Sequence, residues 1–320
     1  MDLSIVISSY NEIESLPELI DWIHRSIQES DYLRSSSYEI LLVDDGSTDG
    51  SWEWIRKQAE TDKTLHGIRF RRNYGKSPAL HCGFAAASGD IVITMDADLQ
   101  DSPEEIPEMV RMIQEDGYDL VSGWKKKRYD NVLAKNIPSK IYNWTARKVT
   151  GIQLHDMNCG LKAYRNEVIK NIEIYGDMHR YIPYLAKNAG FNKIGEKPVI
   201  HQARKYGKSK FGMSRFVNGF LDLLTLWFLA GFGKKPMHIF GVCGIVSFLT
   251  GLAIAAWLIL EKVIAQAGGL KYRAVTDQPL FYLALVALLI GTMLFLTGFL
   301  GELISRSSAN RNDYQVRDRI

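Results

Sequence analysis

An α/β fold on an open parallel sheet, followed by a membrane anchor, is what this 320-residue sequence predicts. Two observations carry that prediction. From Leu3 to about Ile200, short continuous apolar runs alternate with helix-like stretches, as in a parallel sheet covered on both faces. Nearer the carboxyl terminus, two long runs without charged residues are each long enough to cross a bilayer.

The elements follow in order. LSIVIS, from Leu3, is a first strand; a signal peptide would need a basic leader and a longer apolar run. An amphipathic helix is expected from Glu14 to Gln28, then a strand in YEILLVDD, a helix in DGSWEWIRKQAE and a strand in HGIRF. SPALHCGFAAAS reads as a helix and DIVITMDAD as a strand. Ser102, Pro103 and Glu105 then suit the start of a helix, Ser102 as cap, Pro103 in the first turn and Glu105 completing a capping box. The class is Rossmann-like, but no G-x-G-x-x-G follows the first strand, which counts against a nicotinamide enzyme.

The two uncharged runs are Met237–Leu260 and Leu280–Gly301, about 24 and about 22 residues against the ~20 that ~30 Å of hydrocarbon requires. Lys234 and Lys235 precede them, and Arg306, Arg311, Arg317 and Arg319 follow. The intervening loop carries Lys262, Lys271 and Arg273, partly offset by Glu261 and Asp277. This bias predicts cytosolic ends. Residues 211–235, with Phe216, Phe220, Leu224 and Trp227 interrupted by Asn218 and Asp222, are expected to lie in the interface. A third span there is the alternative, and it would put the chain ends on opposite sides. The expected divisions are thus 1–210, 211–235, 236–305 with two spans, and a cytosolic tail from 306 to 320. That charged tail is compatible with a homo-oligomer of neighbouring heads.

A net charge of +3 gives no field for nucleic-acid binding. Cys82, Cys159 and Cys243 are far apart, without C-x-x-C spacing, as expected of a reducing compartment. Cys82 and Cys159 read as buried fillers, and His155 as a packing histidine.

In open α/β sheets ligands bind beyond the carboxyl ends of the strands. The segments found there are Ser9-Tyr10-Asn11-Glu12, Asp44-Asp45-Gly46-Ser47, Arg71 to Lys76, and Asp96-Ala97-Asp98-Leu99-Gln100. Thr94 to Glu105 crowds five carboxylates into twelve residues. Asp96 and Asp98 at the mouth of a core strand call for a cation, and carboxylate and carbonyl oxygens suit Mg2+ or Mn2+. A shared ligand is expected to require a turn after the strand, with Leu99 buried and Gln100 offering its amide oxygen. A solvated turn is the plainer reading of the same aspartates.

SSYNE, VDDGSTDGS, RNYGKSPAL, DADLQDSPE and NCGLKAYR, in this order and followed by two spans, resemble the inverting family-2 glycosyltransferases that act on polyprenyl phosphates. Dolichol-phosphate mannose synthase and the GtrB-type glucosyltransferases belong to that group. The resemblance implies a GT-A catalytic domain over 1–210. It implies nucleoside contacts from Tyr10, Asn11, Glu12 and Asp45, and a nucleotide pocket lined by Asn73 and Lys76. Asp96, Asp98 and Gln100 would surround the metal and the diphosphate. Arg128 would meet the acceptor phosphate, with Arg204, Ser209 and Lys210 in a basic loop, and Asp156 would sit near the sugar. Lys125, Lys126 and Lys127 read either as cations for that phosphate or as a solvated, membrane-attracted patch.

A lipid phosphate, with a second pKa near ~6, is already largely ionised at neutral pH, so it needs positioning more than a base. This favours Asp156 as an orienting group over a general base. The expected reaction moves a hexose, glucose from UDP-glucose first, to undecaprenyl phosphate at the cytosolic face. Other donors leave similar motifs: UDP-GlcNAc, UDP-galactose, GDP-mannose or a modified arabinose. A processive polysaccharide synthase would need a Q-x-x-R-W segment, which is lacking. A non-catalytic membrane scaffold that binds nucleotide sugars is the rival of another class.

Overall fold

The structure, a computed structural model, describes residues 1–126, 144, 146–148, 150–174, 176, 178–203, 205–206, 236–269, 273–307 and 316–319. The chain divides into two compact units, Met1–Leu226 with Arg311–Ile320, and Trp227–Asn310.

In the first unit the expected alternation appears as β1 (Leu3–Ser9), α1 (Leu16–Gln28), β2 (Tyr38–Asp44), α2 (Ser51–Thr61), β3 (Leu65–Phe70), α3 (Lys76–Ala86) and β4 (Ile91–Asp96). A 3-10 turn (Pro103–Glu105) leads into α4 (Ile106–Gln114), followed by β5 (Leu120–Trp124), β6 (Lys162–Arg165), α5 (Asn166–Lys170), α6 (Ile182–Asn188) and β7 (Ile194–Pro198). Strands β1, β2 and β4 are almost wholly buried, which is why their sequences run apolar without alternating. Helix α1 covers them with Leu16, Leu19, Ile20, Ile23 and Ile27, one face of a 3.6-residue period.

With β8 at Val316–Arg319, the sheet has the order β7-β5-β6-β4-β1-β2-β3-β8, and only part of it is parallel. Strands β3, β2, β1 and β4 run parallel as expected, and β5 pairs with β7 in parallel. Strand β6 is antiparallel to both β4 and β5. It reads Lys-Ala-Tyr-Arg, without the apolar run that announces a core strand.

The last strand, β8, lies within the expected tail of 306–320 and pairs antiparallel with β3, Ile68 opposite Arg319 and Phe70 opposite Val316. Backbone pairing covers what would otherwise be the open edge of β3.

A correction concerns Glu105. Ser102 caps as expected, its Oγ accepting from the Glu104 N–H at 3.4 Å. The Glu105 carboxylate, however, turns toward β7, accepting from the Ile200 N–H at 3.0 Å and pairing with Lys197. It joins the helix start to the neighbouring strand instead of closing a capping box.

The second unit contains two helices long and apolar enough to cross a bilayer, α7 (Pro236–Ala267) and α8 (Pro279–Ser307), with spans at Met237–Ala267 and Pro279–Gly301. The first continues past the expected Leu260, because the residues from Glu261 to Ala267 keep helical order. Glycines let the two backbones touch: a Cβ on Gly291 would lie 2.6 Å from the Phe248 nitrogen, and one on Gly244 would lie 2.7 Å from the Gly291 carbonyl. The Ser247 hydroxyl donates across to the Ala287 carbonyl at 2.9 Å. In lipid, where apolar burial drives no association, such close packing and cross-helix bonding hold helices together.

Gly291→Leu should therefore loosen the helix pair by about 1–3 kcal/mol, read as a lower midpoint of thermal unfolding of the full chain in detergent. Gly268→Ala, where a Cβ meets nothing nearer than 3.6 Å, should leave the midpoint unchanged.

Candidate active site

The sheet register places the carboxyl ends of three strands side by side, with Ser9 opposite Asp44 and Ser8 opposite Asp96. The loops leaving β1 and β2 are then sewn together. Asn11, at φ 53°, donates its N–H to Ser47 Oγ at 2.8 Å and accepts from the Thr48 N–H through its side-chain oxygen at 2.8 Å. The N–H groups of Glu12 and Ile13 reach Ser51 Oγ and Asp49 Oδ2. Tyr10, Asn11 and Glu12 thus stand beside the DDGS segment, as the sequence suggested.

The two aspartates that begin this segment do different work. Asp44 is fully buried, accepts from the Ser47 N–H at 3.2 Å and faces Arg69 Nε at 3.6 Å. Asp45 holds the next loop: its two carboxylate oxygens accept from the N–H groups of Tyr74 at 2.7 Å and Gly75 at 2.8 Å. Burial pushes the Asp45 carboxyl up to about 6, against the pull of those two N–H groups. Gly46, at φ 75°, allows the same approach from beneath, since a Cβ there would lie 2.6 Å from the Arg72 backbone. Asn73 is exposed at the outer side of the loop.

Gly75 and Lys76 join this half of the site to the other. Lys76 is the first residue of α3, and its ammonium pairs with the Asp96 carboxylate at the end of β4. Asp96, Asp98 and Gln100 are half-buried while the intervening Ala97 and Leu99 are buried. The strand ends at Asp96 and the chain turns at Ala97 and Asp98, the turn that a ligand shared by the two aspartates was expected to require. The turn continues through Leu99, whose φ is 59°. The Gln100 N–H returns to Asp98 Oδ1 at 3.2 Å, and the Gln100 side-chain nitrogen points to the Gln202 carbonyl at 3.4 Å.

Behind Asp96 stands a charge cluster that the sequence did not announce. Gly160 abuts the carboxylate so closely that a Cβ would lie 2.5 Å from Oδ2. Lys125 is neither a solvated patch nor a free cation: it is half-buried and pairs with Asp101 at 2.7 Å. Lys162 is buried, donates to the Cys159 carbonyl, and has its pKa lowered by burial. Burial also acts to raise the Asp96 carboxyl, but Lys76 and then Lys125 outweigh it and hold Asp96 below the usual carboxylate range. His179 bonds Ser77 at 2.9 Å and is kept neutral by burial, helped by Lys76 and Arg180.

Asp156 enters the same cluster, its charge felt by Lys162 together with that of Asp96. It is buried, and its Oδ1 accepts from the Asn158 N–H at 3.1 Å. Glu196 of β7 grips this loop, accepting from the N–H groups of His155 at 2.7 Å and Asp156 at 3.1 Å. His155 packs as an exposed ring: it stacks on Trp124 with centroids 4.2 Å apart and pairs with Glu196. Cys159 is the expected filler, fully enclosed, with its thiol pushed up to about 12 by burial. Cys82 is buried as well. Arg128, Arg204, Ser209 and Lys210 lie outside the described residues, as do Lys127 and 211–235.

Among the described residues no three His, Cys, Asp or Glu side chains converge into a metal cage. The oxygen donors of Asp96, Asp98 and Gln100 instead suit a hard cation that takes one or two carboxylates and completes its shell from phosphate and water. The partly exposed oxygens of these three residues and the side-chain-free wall at Gly160 fit such an ion.

A family model described as glycosyl transferase family 2 matches residues 4–173. The dodecaprenyl-phosphate galacturonate synthase of Rhizobium johnstonii is 34% identical over 309 residues, covering 96% of this chain and 88% of that protein. The undecaprenyl-phosphate 4-deoxy-4-formamido-L-arabinose transferase of Aeromonas hydrophila is 36% identical over 305 residues, covering 95% and 88%. Among solved structures, glucosyl-3-phosphoglycerate synthase from Mycobacterium tuberculosis in complex with Mn2+, UDP and glucosyl-3-phosphoglycerate superposes with a TM-score of 0.53 at 19% identity, over 72% of this chain and 79% of that one. Mannosyl-3-phosphoglycerate synthase from Rubrobacter xylanophilus gives 0.56 at 16% identity, over 71% and 74%. At these identities the likeness is one of fold.

The Asp45 clamp makes a pH prediction. A carboxyl whose folded pKa of about 6 exceeds its unfolded 3.8 makes the native state the better proton binder between those values, so its contribution to stability falls as pH rises through that window. Asn at position 45 cannot titrate. The stability advantage of the native protein over Asp45→Asn should therefore shrink between pH 4 and pH 7 in thermal melts; a widening gap would show that burial does not dominate.

Proposed function

Because the chain belongs to glycosyltransferase family 2, we propose that it transfers a sugar from a nucleotide sugar to a polyprenyl phosphate, with inversion at the anomeric carbon. The observation that carries this reading is the half-buried Asp96-Asp98-Gln100 segment at the carboxyl end of β4, with Lys76 paired to Asp96. The acceptor is inferred from two relatives named for dodecaprenyl and undecaprenyl phosphate and from the two apolar helices.

In this account Tyr10, Asn11, Glu12 and Asp45 hold the nucleoside, and the loop that Asp45 clamps presents Asn73 and Lys76 to the phosphates. A divalent cation, Mg2+ or Mn2+, at Asp96, Asp98 and Gln100 would neutralise charge building on the departing diphosphate. Lys76 adds a positive charge to that end of the site. Arg128, Arg204, Ser209 and Lys210 are assigned to the acceptor phosphate, placing it behind the anomeric centre. Asp156, held by the Glu196 grip on its loop, orients a sugar hydroxyl. The pairing of β8 with β3 supports an even number of crossings between head and carboxyl terminus, hence two spans with both ends in the cytosol.

For the donor, UDP-glucose is the sequence expectation, and the two relatives' names add galacturonate and a formamido-arabinose as candidates of equal standing. Mass spectrometry of lipid products after incubation with each nucleotide sugar distinguishes them.

Full-length protein given a labelled donor and undecaprenyl phosphate should form a labelled lipid, and EDTA should abolish it. Asp98→Ala should lower the rate by about 100-fold or more. Equal product with EDTA would remove the metal from the account, an unimpaired Asp98→Ala would remove Asp98 from it, and no labelled lipid from the native protein with any donor would favour the scaffold reading.

A further inference from the structure

Three lysines surround Asp96, and they are held differently. Lys125 is locked on Asp101, with 14% of its side chain exposed, and Lys162 is sealed on the Cys159 carbonyl. Lys76 is 31% exposed, and its ammonium rests on the Asp96 carboxylate, itself 31% exposed. Its backbone is fixed, because the preceding Gly75 N–H is held by Asp45 and Lys76 begins α3. The flexible four-carbon stem is what remains free to move.

The carboxylate that a divalent cation would need is therefore covered by a movable monovalent one. An ammonium and a divalent ion on the same carboxylate repel each other strongly in a partly buried site. A diphosphate relieves the conflict, since its oxygens attract both the metal and the ammonium. Neutral His179 supplies no further positive charge in competition with Lys76.

We propose that Lys76 is the resident cation of the donor-free site: it occupies Asp96 until a nucleoside diphosphate draws it away, so metal and nucleotide bind as a coupled pair. The proposal rests on the metal and donor reading above. By linkage the coupling is reciprocal, the nucleotide tightening the metal as much as the metal tightens the nucleotide. The resting protein then leaves its carboxylate neither bare nor filled by stray cations.

The test is Mn2+ binding, followed by the loss of free-ion electron paramagnetic resonance signal, to full-length protein with no nucleotide, with UDP and with GDP. Native protein should bind Mn2+ weakly alone and ~10-fold or more tightly with the fitting nucleotide. Lys76→Met should bind Mn2+ ~10-fold or more tightly than native protein without nucleotide, and should gain less from nucleotide. Lys76→Arg, which keeps the charge, should stay weak. If Lys76→Met binds Mn2+ no better than native protein without nucleotide, or if Lys76→Arg behaves like Lys76→Met, the proposal falls while the metal reading stands. If no form binds Mn2+ with either nucleotide, the metal reading falls and the proposal with it.

Discussion

A carboxylate at the mouth of a buried strand must be paired, and the pairing of Asp96 is the constraint around which this head is arranged. β4 delivers Asp96 in register with Ser8 of β1, against a wall that only glycine at position 160 leaves open. Burial alone would favour the neutral acid. Lys76 in contact, with Lys125 behind it, keeps the group ionised. A charge sustained by movable and buried cations stays available for exchange, whereas an acid neutralised by protonation would not bind a cation at all.

The rest of the site serves to bring Lys76 to that position. Asp45 spends both carboxylate oxygens on the backbone of Tyr74 and Gly75, which fixes where α3 begins. The DDGSTDGS loop is in turn tied to the loop after β1 through Asn11, Ser47, Thr48 and Ser51. Acidic residues that look alike in sequence thus divide between building and exchange. Asp44, Asp45 and Asp49 hold backbone N–H groups, while the half-buried Asp96 carries the ammonium of Lys76.

The parallel half of the sheet was legible because β1, β2 and β4 are buried on both faces and carry uninterrupted apolar runs. The antiparallel half was not: Lys-Ala-Tyr-Arg of β6 buries its lysine through a backbone carbonyl, a contact without local signature. β8 is recruited by backbone pairing, and Val-Arg-Asp-Arg carries no pattern that announces it. In the candidate site, Asp96, Asp98, Gln100, Lys76 and Asp45 were singled out because the carboxyl ends of strands are where an α/β sheet binds. Lys162, Ser77 and His179 were missed, and Lys125 was read without its partner Asp101, because these groups come together only through tertiary contact. The resemblance flagged the NCGLKAYR segment that contains Lys162, but gave it no role.

The most direct measurement of the central claim, that these strand ends form one nucleotide-diphosphate site, is amide hydrogen exchange on the full-length protein with and without Mn2+ and UDP. The account predicts slowed exchange together in the segments 11–13, 47–51, 74–76 and 98–100, with the remainder of the sheet unchanged. Protection confined to other parts of the chain, or present around Asn11 and absent around Gly75 and Gln100, would contradict it.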